Sequence, residues 1–560
     1  MFIQEVTIKK FRGLDIDIKN LKKDFLIIGK NDSGKSNFCY AIRKVLDYSI
    51  RRIPLTINDS TNCNKEDITI NMKIKLENIS LENKNHLSHH IEKINNEDYI
   101  CVFYNAVFCE DTNYYNENIK IGSLDSKDFA TNVSNPLDKV IDIIYINPNY
   151  DFEKDKKTFF KLRQQKNTDD KEALDPLIVD SVNKLNDSIQ GNDYITGLSD
   201  EINSQDGFGE IFEEVEFKIK SNIDISNIYK SLDIIPYVKN TDDSINIGDG
   251  KSKTLSMLLQ RISYKNEKCK IFIVEEPENH LYPLLQKFYV NLTSKFNLDQ
   301  MIYTSHSPYI IDYRKMGQIL KFIITNTNGH KRTCCETLNI DNNDYEAFGF
   351  MLNEEISEMF FYDKVLLVEG DSEKYFYNAL TIKDEKFHSY LVKNKMGIFS
   401  VYGIDFAPAK KILNKLGIKV LIKTDNDIFP KQRRYAGIAR VLNCLDESGK
   451  ERLCKILNID ELTKEIFKYE ENETCNSLIE EKMTEITSLF KEYGVLLSCH
   501  HDGFEKDFLE FIGQAENVED FNYLKEAKLK NLHKYIVDNK VELTINEDNK
   551  NSILVGFMNE

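Results

Sequence analysis

Glu369 and Glu373 in VLLVEGDSE, followed further along the chain by Asp425 and Asp427 in VLIKTDND, are the residues whose types and spacing most directly suggest chemistry. Carboxylates are hard oxygen donors, and an acidic pocket holding Mg²⁺ or Mn²⁺ is what phosphodiester chemistry requires. Residues i and i+2 of a strand share a face, so Asp425 and Asp427 can bind one ion together with Glu369. Glu373, one turn after Glu369 on the same helical face, can reach a second ion. A second phosphate site lies far upstream. Gly29, Gly34, Lys35 and Ser36 fit GxxxxGK[ST], with Asn31 inside the loop and Asn37 directly after it completing the candidate nucleotide-binding set. In such a loop the backbone N–H groups cradle phosphates, the lysine reaches the β and γ phosphates, and the serine ligates Mg²⁺, so ATP with Mg²⁺ is the expected ligand.

These groups need strands that stop where the chemistry begins. DFLIIG precedes the glycine-rich loop and a helix, FCYAIRKVLDY, comes after it, which is the context a P-loop requires. KIFIVEEPE is an apolar strand ending in Glu275 and Glu276; the first suits a Mg²⁺ shell and the second suits polarising an attacking water. MIYTSHSPYII presents His306 at a strand end, where an imidazole can sense a γ-phosphate. The long interval between the P-loop and the Glu275 strand exceeds any ordinary connection, so it must contain an insertion and the nucleotide-binding domain is split. The runs KVLLVEG, GIFSVYGI, KVLIKTDND and GVLLSCH alternate with helical segments such as SEKYFYNAL and APAKKILNKLG, a βαβ pattern with carboxylates at strand ends.

The expected architecture is α/β, with an ATPase head in two parts, residues 1–150 and 233–348, split by a helical and dimerising insertion at 151–232. A C-terminal carboxylate domain spans 349–560 and carries its own charged helical insertion near 441–490. Within 151–232, DKKTFFKLRQQKN, DPLIVDSVNKLNDSI and FGEIFEEVEFKIKSN read as helices without catalytic residues. At 560 residues the chain is too long for one core. A net charge of −17 argues against coating nucleic acid by bulk electrostatics, yet local groups such as Lys431, Arg433, Arg434 and Arg440 can still grip phosphates. Eleven cysteines without a repeated CxxC spacing fit buried small hydrophobes rather than zinc or disulfides. No signal sequence or long apolar run is present, and the expectation is a cytoplasmic protein without membrane contact.

The three upstream motifs resemble the ATP-binding-cassette heads of the RecF, SMC and Rad50 type. INIGDGKSKTLSMLL, with Gly248, Gly250 and Lys253, stands where that class has its signature and departs from the LSGG form. The resemblance implies head-to-head association and so a homo-oligomer, a dimer or tetramer. EGxxE, then a strand with Gly403, then DxD resembles the Toprim fold of topoisomerases, primases and overcoming-lysogenisation-defect (OLD) nucleases. A topoisomerase also needs a positioned tyrosine nucleophile and a primase a zinc or helicase-binding module, and neither is legible, which leaves hydrolysis. ATPase head first and Toprim second resembles OLD nucleases specifically, and within them the nuclease subunits of Gabija antiphage systems. That resemblance implies a divalent-metal-dependent, nucleotide-regulated endonuclease that nicks or cleaves duplex DNA in prokaryotic defence, with a UvrD-like helicase partner. It also assigns Glu505 in HHDGFEKDF to the second metal and Lys528 in EAKLKNLHKY to stabilising transition-state charge. The alternative is a RecF-like ATP-dependent DNA clamp without nuclease activity.

Overall fold

The computed structural model describes the chain outside residues 123–134, 149–151, 154, 158, 160–183, 185–186, 206–208, 210–211, 213, 222–231, 264–267, 297, 312–317, 328–329, 340–353, 402–405, 427–434, 464–466, 468–477, 499–502, 539–540 and 560. It forms two compact units, Met1–Ile340 and Asp341–Glu560.

The first unit is built on a sheet of twelve strands. Its first hairpin pairs Phe2–Phe11 with Leu14–Ile18, the alternating residues Val6 and Ile8 facing Ile18 and Ile16 across it. Strands Ile68–Lys75, Glu97–Cys109 and Tyr114–Ile121 extend this antiparallel half. The other half is parallel: Asp24–Gly29 lies between Gln318–Thr327 and Gln300–Ser305, with Cys269–Glu275 and Ile141–Ile146 further outward. Strands covered on both faces are apolar throughout, as FLII is here with all four residues buried. Because these strands run parallel and in register, Ile28 beside Ser305 and Glu275 beside Thr304, their C-terminal ends and the loops they lead into emerge along one edge. The helix Lys35–Leu46 buries Phe38, Cys39, Ala41, Ile42 and Val45 against this sheet.

The region 151–232 is not uniformly helical. Helix Asp193–Asn203 is present, but Val215–Ser221 is a strand paired antiparallel with Leu232–Val238. Val215, Phe217 and Ile219 are buried on one face, a period of two rather than 3.6. Asn203 clamps the hairpin to the helix by donating to the Phe217 carbonyl at 2.9 Å and accepting from its N–H at 2.9 Å. Most of the other two segments expected to be helical lies outside the described residues.

The second unit has a four-stranded parallel sheet in the order Met396–Ser400, Lys364–Val368, Lys419–Thr424, Val495–Leu497. Helices Asp371–Lys383, Glu385–Asn394 and Phe406–Lys415 fall between its strands. Below it Phe376, at the centre of an aromatic core, packs edge-on against Phe504, Phe508 and Phe511 with centroids 5.4–5.9 Å apart. The C-terminal segment is part of this core: Leu543, Leu554, Val555 and Phe557 are buried, and Tyr377 donates to the Leu554 carbonyl at 2.8 Å. Among the described residues no helix is long and apolar enough to cross a membrane.

Candidate nuclease and nucleotide sites

In the second unit, strand Lys364–Val368 delivers Glu369 and strand Lys419–Thr424 delivers Asp425, each one residue beyond the strand end. Strand alternation therefore does not aim Asp425, and Glu369 precedes the helix that carries Glu373 rather than sharing its face. Their orientation comes from hydrogen bonds. Glu369 Oε1 accepts the Asp425 N–H at 2.8 Å, the Thr424 hydroxyl and the Arg440 guanidinium. Asp425 Oδ2 accepts the Phe504 N–H at 2.8 Å, so this carboxylate caps the N-terminus of helix Phe504–Phe511, whose positive end suits it. Its Oδ1 lies 2.5 Å from Lys423 Nζ. Helix Ala436–Val441, which brings Arg440, comes so close that a Cβ on Gly437 would stand 2.0 Å from the Asp425 carbonyl oxygen.

Glu373, Asp425 and Glu505 are all buried, at 5%, 6% and 6% exposure. Burial raises the Glu369 carboxyl above its ordinary range and Asp425 adds to this, against Arg440 and Thr424. Burial, then Asp425, pushes Glu373 up to about 8, with Lys423 opposing. Burial also raises Glu505, opposed first by Lys528. Lys528 opens the helix Lys528–Asp538 on an exposed position, and its charge bears on Glu505. Carboxyls driven toward the protonated form by burial and by each other form a donor set whose cost a divalent cation would relieve, and in that sense they fit such an ion. Among the described residues no three acidic, histidine or cysteine side chains already converge as a cage; Asp427 and Gly403 lie outside the described residues, as do Lys431, Arg433 and Arg434. Arg440, Thr424, Lys423 and Asp507 complete the surroundings of these carboxylates. Arg440 figured in the sequence only as part of a basic cluster, and the other three carried no signal.

In the first unit the P-loop connects Asp24–Gly29 to helix Lys35–Leu46 through Gly34, whose φ of 95° is left-handed backbone that suits glycine. Lys35 Nζ donates to the carbonyls of Gly29 at 2.8 Å and Lys30 at 3.0 Å, and burial lowers its pKa against Glu276, Glu278 and Glu275. Burial raises the Glu275 carboxyl, opposed first by Ser36 and then by Tyr145, so the loop serine and the strand-end carboxylate bear on each other. Asn31 is exposed on the loop, whereas Asn37 turns its amide to the Arg12 carbonyl at 2.9 Å, tying the helix to the first hairpin.

Glu276 has φ 44°, an uncommon conformation for a side-chain-bearing residue, held by its N–H to the Thr304 carbonyl at 2.9 Å. Lys253, fully buried on helix Asp249–Ser263, adds a bond to the Glu276 carbonyl at 3.0 Å and one to the Asn279 carbonyl at 3.2 Å. Its pKa falls to about 8 through burial, against Glu278 and Glu276. His306 Nδ1 lies 3.3 Å from Glu278 and 3.8 Å from Glu276, and its backbone N–H donates to Glu278 Oε1 at 2.7 Å. Glu278 also takes the Ser305 hydroxyl at 3.0 Å. Glu278 was not singled out from the sequence, although its place in EEPEN, beside the strand end, was the available signal.

An ATPase head and a carboxylate-bearing Toprim unit on one chain define the class. The AAA ATPase domain family matches residues 1–311, and the overcoming lysogenization defect protein-like TOPRIM domain family matches residues 360–427. Endonuclease GajA of Bacillus cereus (strain VD045) is 30% identical over 95% of this chain and 94% of its own length. Endonuclease GajA of Bacillus cereus (strain HuB5-5) is 21% identical over 62% of this chain and 55% of its own length. A solved SMC head bound to the C-winged helix domain of ScpA covers 61% of this chain and 99% of that one at 15% identity and a TM-score of 0.38. The chain belongs to the OLD family of ATPase–Toprim DNA endonucleases, among the relatives of GajA.

Proposed function

We propose that this chain is a divalent-metal-dependent endonuclease that nicks or cleaves duplex DNA in prokaryotic antiphage defence, its cleavage restrained by nucleotide at the ATPase head. The observation that carries this reading is the set of carboxylates, the buried Glu373, Asp425 and Glu505 with the half-buried Glu369, gathered around parallel strand ends in the unit that contains the TOPRIM match. These four and Asp427 would hold two Mg²⁺ or Mn²⁺ ions. Such ions supply an activated water and neutralise charge on the phosphate. The chain's own groups do the rest. Arg440 and Thr424 fix Glu369 as an acceptor, Phe504 N–H and Lys423 fix Asp425, and burial keeps bulk water from competing. Lys528, whose charge bears on Glu505, would stabilise negative charge developing on the scissile phosphate.

At the head, Lys35 and Ser36 would bind ATP with Mg²⁺, Glu275 would share that Mg²⁺ with Ser36, Glu276 would orient water and His306 would sense the γ-phosphate. The resemblance of the head motifs to the RecF, SMC and Rad50 type supports head-to-head oligomers, and the resemblance to Gabija nucleases supports a UvrD-like helicase partner and release of cleavage when nucleotide is depleted.

The test of the nuclease reading is supercoiled plasmid cleavage in Mg²⁺ or Mn²⁺ with a chelator control, using wild type and Asp425→Ala. Wild type should cleave only with metal, and the variant should lose at least a hundredfold. Full cleavage by Asp425→Ala, or none by wild type with either ion, would favour a non-cleaving DNA clamp.

A further inference from the structure

Lys423 lies against the carboxylate cluster and is itself tied into the fold beneath it. It sits on the central strand Lys419–Thr424 with 0% exposure, an uncommon place for lysine. Its Nζ lies 2.5 Å from Asp425 Oδ1 and 2.8 Å from Asp507 Oδ2, the latter at an angle that makes the contact ionic rather than a directed hydrogen bond. Asp507 also has 0% exposure, and its other oxygen accepts the Ser498 hydroxyl at 2.9 Å. Ser498 stands just past the neighbouring strand Val495–Leu497 and donates its N–H to the Thr424 carbonyl at 3.0 Å, locking the two strand ends together. The chain Ser498, Asp507, Lys423, Asp425 therefore runs unbroken from one strand end, through the first turn of helix Phe504–Phe511, to the next.

We propose that Lys423, held by Asp507 and Ser498, is a positioning residue that sets the orientation in which Asp425 meets the catalytic metal. With Oδ1 on Lys423 and Oδ2 on the Phe504 N–H, both oxygens of Asp425 are held, one from its own strand and one from the helix Phe504–Phe511. A carboxylate oxygen accepts two hydrogen bonds or ligand contacts, so each keeps one site open for a cation. An acidic site gains Coulomb energy from every added negative charge, and a buried ammonium beside a ligand runs against that. Its presence is explained when geometric restraint of the ligand matters more than net charge. The inference rests on the metal-nuclease reading above.

The two effects predict opposite signs. If Lys423 acted only through its charge, Lys423→Met would bind the metal more tightly; as a positioning residue, its loss frees Asp425 and weakens binding. Calorimetric titration of the full chain with Mn²⁺ reads the affinity directly. Expected are at least a fivefold weaker Kd for Lys423→Met and a smaller but measurable weakening, above twofold, for Ser498→Ala, which changes no charge. The concentration of Mn²⁺ giving half-maximal plasmid cleavage should rise in parallel, while thermal unfolding confirms that each variant is folded. Tighter or unchanged binding in Lys423→Met overturns the proposal; if that variant does not fold, unchanged binding in Ser498→Ala does so. Wild type that binds neither Mn²⁺ nor Mg²⁺ would instead remove the metal reading on which the inference rests.

Discussion

Glu373 illustrates what burial does to a carboxyl that lies among others. Its pKa rises from 4.5 to about 8, first through desolvation and then through Asp425 and Glu369, with Lys423 opposing. The folded state then holds a proton that the unfolded chain releases, so this group's contribution to stability is present below pH 4.5 and is lost as pH rises toward about 8. Each pH unit in that window removes at most about 1.4 kcal/mol. Thermal unfolding in chelator from pH 5 to 8 should therefore fall more steeply for wild type than for Glu373→Gln; parallel curves would show that the group titrates normally. Added Mg²⁺ should flatten the wild-type curve, because the ion replaces the proton as the counter-charge. At the head, Lys35 is buried beside Glu276, Glu278, Glu275 and Asp32 and donates to loop carbonyls. Lys35→Ala should lose ATP binding by at least tenfold in equilibrium dialysis with little change in unfolding temperature, and retained affinity would remove Lys35 from the nucleotide site.

At the scale of elements, the two sites are products of parallel strands that stop together. Gly437 shows how tight the assembly is around one of them. A methyl group there meets the Asp425 carbonyl at 2.0 Å, a distance that backbone must move to avoid. Gly437→Ala should cost about 1–3 kcal/mol, as overpacking does, and should reduce plasmid cleavage far more than this loss of stability explains. A variant of wild-type activity would show that the Asp425 segment tolerates displacement. The strand ends themselves were legible: KVLLVEG, KVLIKTDND, KIFIVEEPE and MIYTSHSP are apolar runs that must be covered on both faces, and each places its charged residue at the end. Val215–Ser221 was misread as helix because its glutamates and lysines resemble a solvated helical face, although the period of two in Val215, Phe217 and Ile219 was there to be read. Lys423 and Asp507 carried no signal, because a lysine inside an apolar strand becomes meaningful only when a residue distant in sequence is folded against it.

At the scale of the whole molecule, one chain carries the glycine-rich loop and its strand-end partners in the unit Met1–Ile340 and the TOPRIM carboxylates in the unit Asp341–Glu560. The order of the two units was legible because each carries a motif with a fixed context: glycine loop between strand and helix, EGxxE and DxD at strand ends. The packing of the C-terminal segment into the Phe376 core was not, since Leu543, Leu554, Val555 and Phe557 are spaced without helical or strand periodicity and are ordered by what they fit. The central claim, a metal-dependent nuclease restrained by nucleotide, is tested most directly by the rate of plasmid cleavage in Mg²⁺ as ATP is raised, for wild type and Lys35→Ala side by side. The account predicts that wild type cleaves without ATP and is progressively inhibited as ATP is added, while Lys35→Ala cleaves at every concentration. Cleavage by wild type that is indifferent to ATP, or inhibition that persists unchanged in Lys35→Ala, would contradict it.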